Sequence, residues 1–275
     1  MSIGLAPGGT ERTPEGLVLE RDSQCAGLLT ITIDRQDDLN RLDPLVMARL
    51  GTIAAALHDD TSINVVLITG SGTVNFSMGI LNPAIRASYT KDEIIEIVMR
   101  SNRVFDAIEA LPQIVIVAIN GKVLAGAAEL CLACDLRYAS AQATMTMPEA
   151  TWGGFPGAGA PVRLPMIVGR ARAIELICTG RTIDAAEMER LNLVQGIYAP
   201  EELMPGVLAI ARKITESGPL AVRGAKRIGA LRQEPGFHAS RMLSDQLRRE
   251  LEWSSDIDEG MTAHKQNRKP RFTGR

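Results

Sequence analysis

An α/β fold with a helical C-terminal part is predicted for this chain, and three observations carry the prediction. Short apolar, β-branched runs alternate with helix-patterned segments through the first half. From Gly159 onward the pattern is helical throughout. Glycines punctuate the ends of the apolar runs, where strands give way to turns.

Taken in order, residues 1–16 ("MSIGLAPGGTERTPEG") read as a flexible tail rich in Gly and Pro. Leu28 to Asp34 ("LLTITID") has the composition of a strand. Pro44 to His58 reads as a helix, with Asp43 as N-cap and Pro44 in the first position. Asn64 to Gly70 is a buried strand closed by glycine. Lys91 to Ala110 places Ile94, Ile95, Val98, Val104, Phe105 and Ile108 on one broad helical side. Ile114 to Asn120 is the most apolar strand and belongs at the sheet centre. Short strands follow near Leu136–Ala139 and Thr144–Met147. Helices are then expected over Arg163–Val168, Arg170–Cys178, Ala185–Leu191, Glu201–Ser217, Leu220–Arg232, Phe237–Ser254 and Ile257–Gln266. Residues 17–200 form the expected core and 201–275 the helical C-terminal region.

Bulk properties narrow the function. The chain has 275 residues, 45% of them hydrophobic and 23% charged, enough to bury a substantial core. A net charge of −2 argues against a nucleic-acid binder working through a global positive field. No apolar run reaches the roughly 18–20 residues of a membrane span. No basic start followed by an apolar stretch opens the chain, so a cytoplasmic protein is expected. Cys131 and Cys134 form a lone CxxC without a second pair or histidines at ligand spacing, so no metal is expected. "GFPGAG" (Gly154 to Gly159) lacks the strand and acidic partner of a dinucleotide fingerprint and reads as a tight loop before a helix. Neither a Walker lysine nor a GxSxG motif occurs.

Three segments remain. "NFSMGIL" (Asn75 to Leu81) follows a strand through a Gly-rich turn. "LAGAAEL" (Leu124 to Leu130) follows the central strand and opens a helix, with Glu129 alone in an apolar run. "MPEATWGGFPGAG" (Met147 to Gly159) carries Glu149 after a proline. Strand ends that run into helix starts leave backbone N–H groups free, and two of them side by side make an oxyanion hole. A buried ion pair, with Arg137 as partner, is the plain structural alternative for Glu129. Pro-Glu is a common turn dipeptide, which is the corresponding alternative for Glu149.

These segments resemble the enoyl-CoA hydratase/isomerase (crotonase) family. "FSMGIL" is similar to its F-S-A-G-A-D loop, and "NGKVLAGAAEL" to its N-G-x-A-x-G-G-G-x-E-L segment. "MPEATWGGFPGAGAPVRL" is similar to its P-E-x-x-x-G-x-x-P-G-x-G-x-x-x-R-L segment, and the last 22 residues resemble its ending. The resemblance runs from about Leu28 to the C-terminus. It implies a spiral of ββα turns followed by helices that mediate trimerisation, with homotrimers or homohexamers as the assembly. It places Ile80 and Gly126 on the two backbone donors of the oxyanion hole. Glu129 and Glu149 fall on the hydratases' catalytic pair, Glu129 as the base that activates water and Glu149 as the proton donor to Cα. The implied reaction is hydration of a 2-enoyl-CoA to a 3-hydroxyacyl-CoA, with coenzyme A as part of the substrate and no other cofactor. An enoyl-CoA isomerase and a non-catalytic acyl-CoA-binding subunit are the rivals.

Departures from the family pattern fall near the implied CoA and substrate site. Met78 replaces alanine, and Leu81 replaces an aspartate that helps order the loop. Arg41 stands where a small residue lines the site, free to meet a CoA phosphate or simply to be solvated, the second being favoured. Ala125 and Ala127 replace glycines around Gly126. Trp152 belongs with the acyl pocket, and Lys265, in the basic tail, is a candidate phosphate contact.

Overall fold

The computed structural model describes residues 3–152, 154–233, 255, 256, 259, 263, 266 and 268–275. Two sheets organise them. The larger runs in the order β1 (Thr10–Arg12), β2 (Leu17–Arg21), β3 (Leu28–Ile33), β4 (Val65–Gly70), β6 (Ile114–Ile119), β8 (Leu136–Ser140), β11 (Ile197–Tyr198). The smaller runs β10 (Ile183–Asp184), β9 (Thr144–Thr146), β7 (Lys122–Leu124), β5 (Asn75–Ser77). From β3 to β11 the larger sheet is parallel, while β1 and β2 add an antiparallel edge.

The chain passes between the sheets by a repeated step. β4, β6 and β8 lie in the larger sheet, and each is followed directly by a short strand of the smaller one, β5, β7 and β9. Helices then return the chain: α2 (Pro83–Arg86) and α3 (Lys91–Glu109) after β5, α4 (Gly126–Leu132) after β7, α5 (Ala160–Val168) after β9. Three ββα turns stack in this way. Since β5, β7 and β9 are mutually parallel, their C-terminal ends share one edge, with Leu124 opposite Thr146.

Alternation along the strands sorts two cores across the larger sheet. Val66 and Ile68 of β4 join Val115, Val117 and Ile119 of β6 in the main core, together with α1 (Pro44–His58) and α3. Val65, Leu67, Ile116 and Ala118 face the other way, onto Leu203, Val207 and Ala211 of α8 (Leu203–Thr215). Every residue of β4 and five of six in β6 are buried, as strands covered on both faces must be. Local chemistry sets the helix starts. Asp43 accepts from the N–H groups of Leu45 and Val46 at α1, and Thr90 with Glu93 closes a capping box at α3.

Beyond α5 come α6 (Arg170–Thr179), α7 (Ala185–Arg190), α8 and α9 (Pro219–Gln233). Lys226 of α9 reaches Asp135 Oδ2 at 2.7 Å and the Gln113 carbonyl at 2.9 Å, tying that helix to β6 and β8.

Several expectations are corrected here. The tail is not wholly free, because Thr10–Arg12 forms β1 against β2. The part after Gly159 is not helical throughout: β10 and β11 lie within it, each two residues long and too short to leave a period. β2, β5 and β7 are strands beyond those expected, the last two only three residues long. α5 begins at Ala160 rather than Arg163, with a proline in its first turn. The helix expected over Phe237–Ser254, and most of that over Ile257–Gln266, lie outside the described residues.

Candidate active site

The shared edge of the smaller sheet assembles the site. Ile80 lies just past β5, Gly126 just past β7 and Glu149 just past β9. Close approach is enforced by two glycines. A Cβ on Gly79 would stand 2.5 Å from the Leu124 carbonyl oxygen and 3.2 Å from the Gly126 nitrogen, and Gly79 has φ +79°. A Cβ on Gly126 would stand 2.6 Å from Ile80 Cδ1. Neither position tolerates a side chain without a shift. The turn into α4 also holds Ala125 at φ +53°, an uncommon conformation for a residue with a Cβ.

Both peptides at this edge are fixed by their carbonyls. Gly79 O accepts from the Leu42 N–H at 2.9 Å. A planar trans peptide aims its N–H opposite its C=O, so the Ile80 N–H points away from Leu42. The Ala125 carbonyl likewise accepts from the Ala128 N–H at 2.8 Å, which fixes the Gly126 N–H. Among the described residues, neither the Ile80 nor the Gly126 N–H donates a hydrogen bond. Loop 35–43 clamps the first of these peptides, since the Met78 N–H also donates to the Leu39 carbonyl at 3.1 Å. Asn40, fully buried, anchors that loop: its side chain donates to the carbonyls of Ser71 and Asn75 and accepts from the Arg35 N–H.

Glu129 lies one turn along α4 from Gly126 and is 3% exposed. Its Oε1 accepts from the N–H groups of Ala158 (2.7 Å) and Ala160 (3.0 Å), where the Gly-rich loop enters α5. The alternative pairing with Arg137 does not form, because Arg137 donates instead to the carbonyls of Leu193 and Cys134. Burial pushes the Glu129 carboxyl up to about 7, against the two N–H groups and the charge of Arg163. Glu149 opens a 3-10 turn, Glu149–Trp152, and is half-buried. Its Oε2 is enclosed and has no partner among the described residues. Burial, with a smaller contribution from the Glu129 charge, pushes this carboxyl up to about 7 as well. The two carboxyls are therefore near enough for the charge of Glu129 to act on Glu149.

The remaining expected residues are distributed less evenly. Met78 is half-buried in the clamped loop. Leu81 packs against the main core, so apolar contact rather than a polar side chain seats the loop there. Arg41 is not free in solvent: its guanidinium grips both oxygens of Asp38, at 2.7 and 3.0 Å. Trp152 shares the turn with Glu149 but is 39% exposed. Lys265 lies outside the described residues. Cys131 and Cys134 are buried, and burial pushes both thiols up, Cys134 to about 12. Among the described residues no cluster of His, Cys, Asp and Glu has the makings of a metal site, and no helix is long and apolar enough to cross a membrane.

Sequence reasoning missed the N–H groups of Ala158 and Ala160, the clamp at Leu39 to Leu42, and Asn40. The signal for the first pair was the Gly-rich loop running into a proline-containing helix start, which leaves N–H groups unpaired.

A family model described as enoyl-CoA hydratase/isomerase matches residues 23–275. A crotonyl-CoA hydratase of Syntrophomonas wolfei is 33% identical over 258 residues, covering 94% of this chain and 98% of its own. A short-chain-enoyl-CoA hydratase of Clostridium acetobutylicum is 33% identical over 211 residues, 77% of this chain and 79% of its own. The crystal structure of an enoyl-CoA hydratase from Bacillus anthracis matches with a TM-score of 0.90 at 32% identity, covering 94% of this chain and 100% of that one.

Proposed function

This chain belongs to the enoyl-CoA hydratase/isomerase family, and on that premise we propose that it is an enoyl-CoA hydratase, adding water reversibly across the 2,3 double bond of an enoyl-CoA thioester. The observation that carries the proposal is the placement of two enclosed carboxyls, Glu129 and Glu149, at the edge where the Ile80 and Gly126 N–H groups have no partner among the described residues.

The chemistry follows from that arrangement. The thioester oxygen lies between the Ile80 and Gly126 N–H groups and gains negative charge as water attacks Cβ. Fixed donors stabilise that charge where it develops, and losing one typically costs about 10²–10³ in rate. Glu129, ionised, orients the water and takes its proton. Glu149, protonated, delivers a proton to Cα and completes the 3-hydroxyacyl thioester. One carboxyl must be charged and the other neutral at the same pH, and two acids that burial pushes up to about 7 meet that need. The reverse sequence expels water. No metal or redox cofactor enters these steps, and coenzyme A takes part as a portion of the substrate. On the same reading the protein acts in the cytoplasm as a homotrimer or homohexamer, a state measurable by light scattering.

Incubation with crotonyl-CoA tests the activity. Loss of the conjugated enoyl-thioester absorbance is expected in the wild type, and Glu129→Gln and Glu149→Gln should each lower kcat by about 10²–10⁴. Binding without turnover would sink the hydratase reading in favour of a binding subunit. Migration of the double bond without hydration would make the protein an isomerase. The pH–rate profile should be bell-shaped and centred near neutrality, since only the singly protonated pair is competent.

A further inference from the structure

Arg163 lies outside the reaction described above, yet its surroundings are unusual. It is 7% exposed, on the first turn of α5. Its Nη1 donates to the Ala158 carbonyl at 3.2 Å. The N–H of Ala158 and the next N–H but one, that of Ala160, hold Glu129 Oε1. On its far side Arg163 meets two acids of α3, donating from Nε to Glu109 Oε2 at 2.8 Å and from Nη2 to Asp106 Oδ1. Gly159 leaves the room it needs, since a Cβ there would collide with Nη1. A buried guanidinium thus braces the segment that grips Glu129 and is itself held by two exposed carboxylates.

We infer that Arg163 is a positioning residue that sets the proton affinity of Glu129, with Asp106 and Glu109 attenuating its charge. It touches no reacting atom. It works by fixing the loop at Ala158, whose carbonyl it binds and whose N–H, with that of Ala160, holds Glu129, and through its field in a low-dielectric interior. Charged groups bear on Glu129 from several elements: Arg163 from α5, Glu149 from the turn after β9, Asp106 and Glu109 of α3 behind Arg163, and, at the far end of α4, Arg137, Asp135 and Lys226. The Cys131 thiol on the same helix stays neutral. Without Arg163, the ionised form of Glu129 loses the cation that lowers its proton affinity. Without the two acids, the cation acts at full strength.

The signs differ, and that makes the inference testable. The inference rests on the hydratase reading for its functional meaning, so the measurement does not depend on turnover. Protein labelled with ¹³C at the Glu side-chain carboxyl is titrated by NMR, and the Glu129 resonance is assigned by its loss in Glu129→Gln. Arg163→Gln should raise the Glu129 midpoint by about one pH unit. Asp106→Asn combined with Glu109→Gln should lower it, by about half a unit. In a protein that also hydrates crotonyl-CoA, the acidic limb of kcat/KM shifts with each midpoint. A purely structural brace predicts weakened folding in both variants without opposed shifts. Midpoints that stay put, or move in the same direction, overturn the inference. Should Arg163→Gln not fold, the double variant at exposed positions decides alone: a fall in the midpoint supports the inference and any other result refutes it. Opposed shifts in a protein without hydratase activity would leave this inference standing and refute the proposed function.

Discussion

Gly126 and Ile80 show how one missing methyl group shapes the site. The space where a Cβ would lie is taken by Ile80 Cδ1, so glycine is required by contact, in addition to any need for an exposed N–H. Gly126→Ala should lower stability by about 1–3 kcal/mol through overpacking. Ile80→Ala in the same chain should return part of that loss, with a coupling of about 1 kcal/mol or more in a double-mutant cycle of denaturant melts. Additive losses would mean that the two residues do not contact each other. Glu149 supports a second residue-scale prediction. Burial pushes its folded pKa up to about 7 against an ordinary 4.5, so below pH 4.5 its carboxyl is neutral in both states and ionisation adds no penalty. As pH rises from 4.5 to about 7, ionisation favours the unfolded chain, and the penalty is complete above 7. Glu149→Gln should therefore stabilise the protein at pH 8 by up to about 3 kcal/mol relative to its effect at pH 4, read from urea midpoints at each pH. An equal effect at both would place the Glu149 carboxyl in an ordinary aqueous setting.

At the scale of elements, the sequence was legible wherever one segment carried its own pattern. The helix expected at Pro44 to His58 is α1 residue for residue, because Asp43 and Pro44 announce its start. The buried strands β4 and β6 were plain from unbroken apolar runs. What escaped were short pieces whose pairing is decided elsewhere in the chain: β5 and β7 span three residues, and β10 and β11 two. The site divides the same way. Gly126, Glu129 and Glu149 stood out through motifs and through a lone carboxylate in an apolar run. The clamp at Leu39 and Leu42 works through backbone groups, which any side chain supplies, so no residue type betrays it. The partner of Arg41 is hidden for a related reason: Asp38, three residues earlier, claims it, and the turn at Gln36–Asp38 brings the two together.

The whole molecule depends on how its C-terminal helices dock. α8 covers one face of the larger sheet and α9 is tied by Lys226 to Asp135, whose carboxyl burial pushes up despite that partner. Asp135 also accepts the Val115 N–H, so the cluster joins α9, β6 and the start of β8. Lys226→Met should strand a buried carboxylate and cost about 3 kcal/mol at neutral pH, and adding Asp135→Asn should restore much of it. A single variant as stable as wild type would mean that α9 is held by other contacts. The stacked ββα turns have a wider consequence. Ile80, Gly126 and Glu149 occupy equivalent places in three successive turns, each just beyond a strand of the smaller sheet. Extra residues inserted in a returning helix or its outer loop leave that alignment untouched. A single residue inserted into β5, β7 or β9 would slip one member of the trio past the others and dismantle the site while leaving the larger sheet whole.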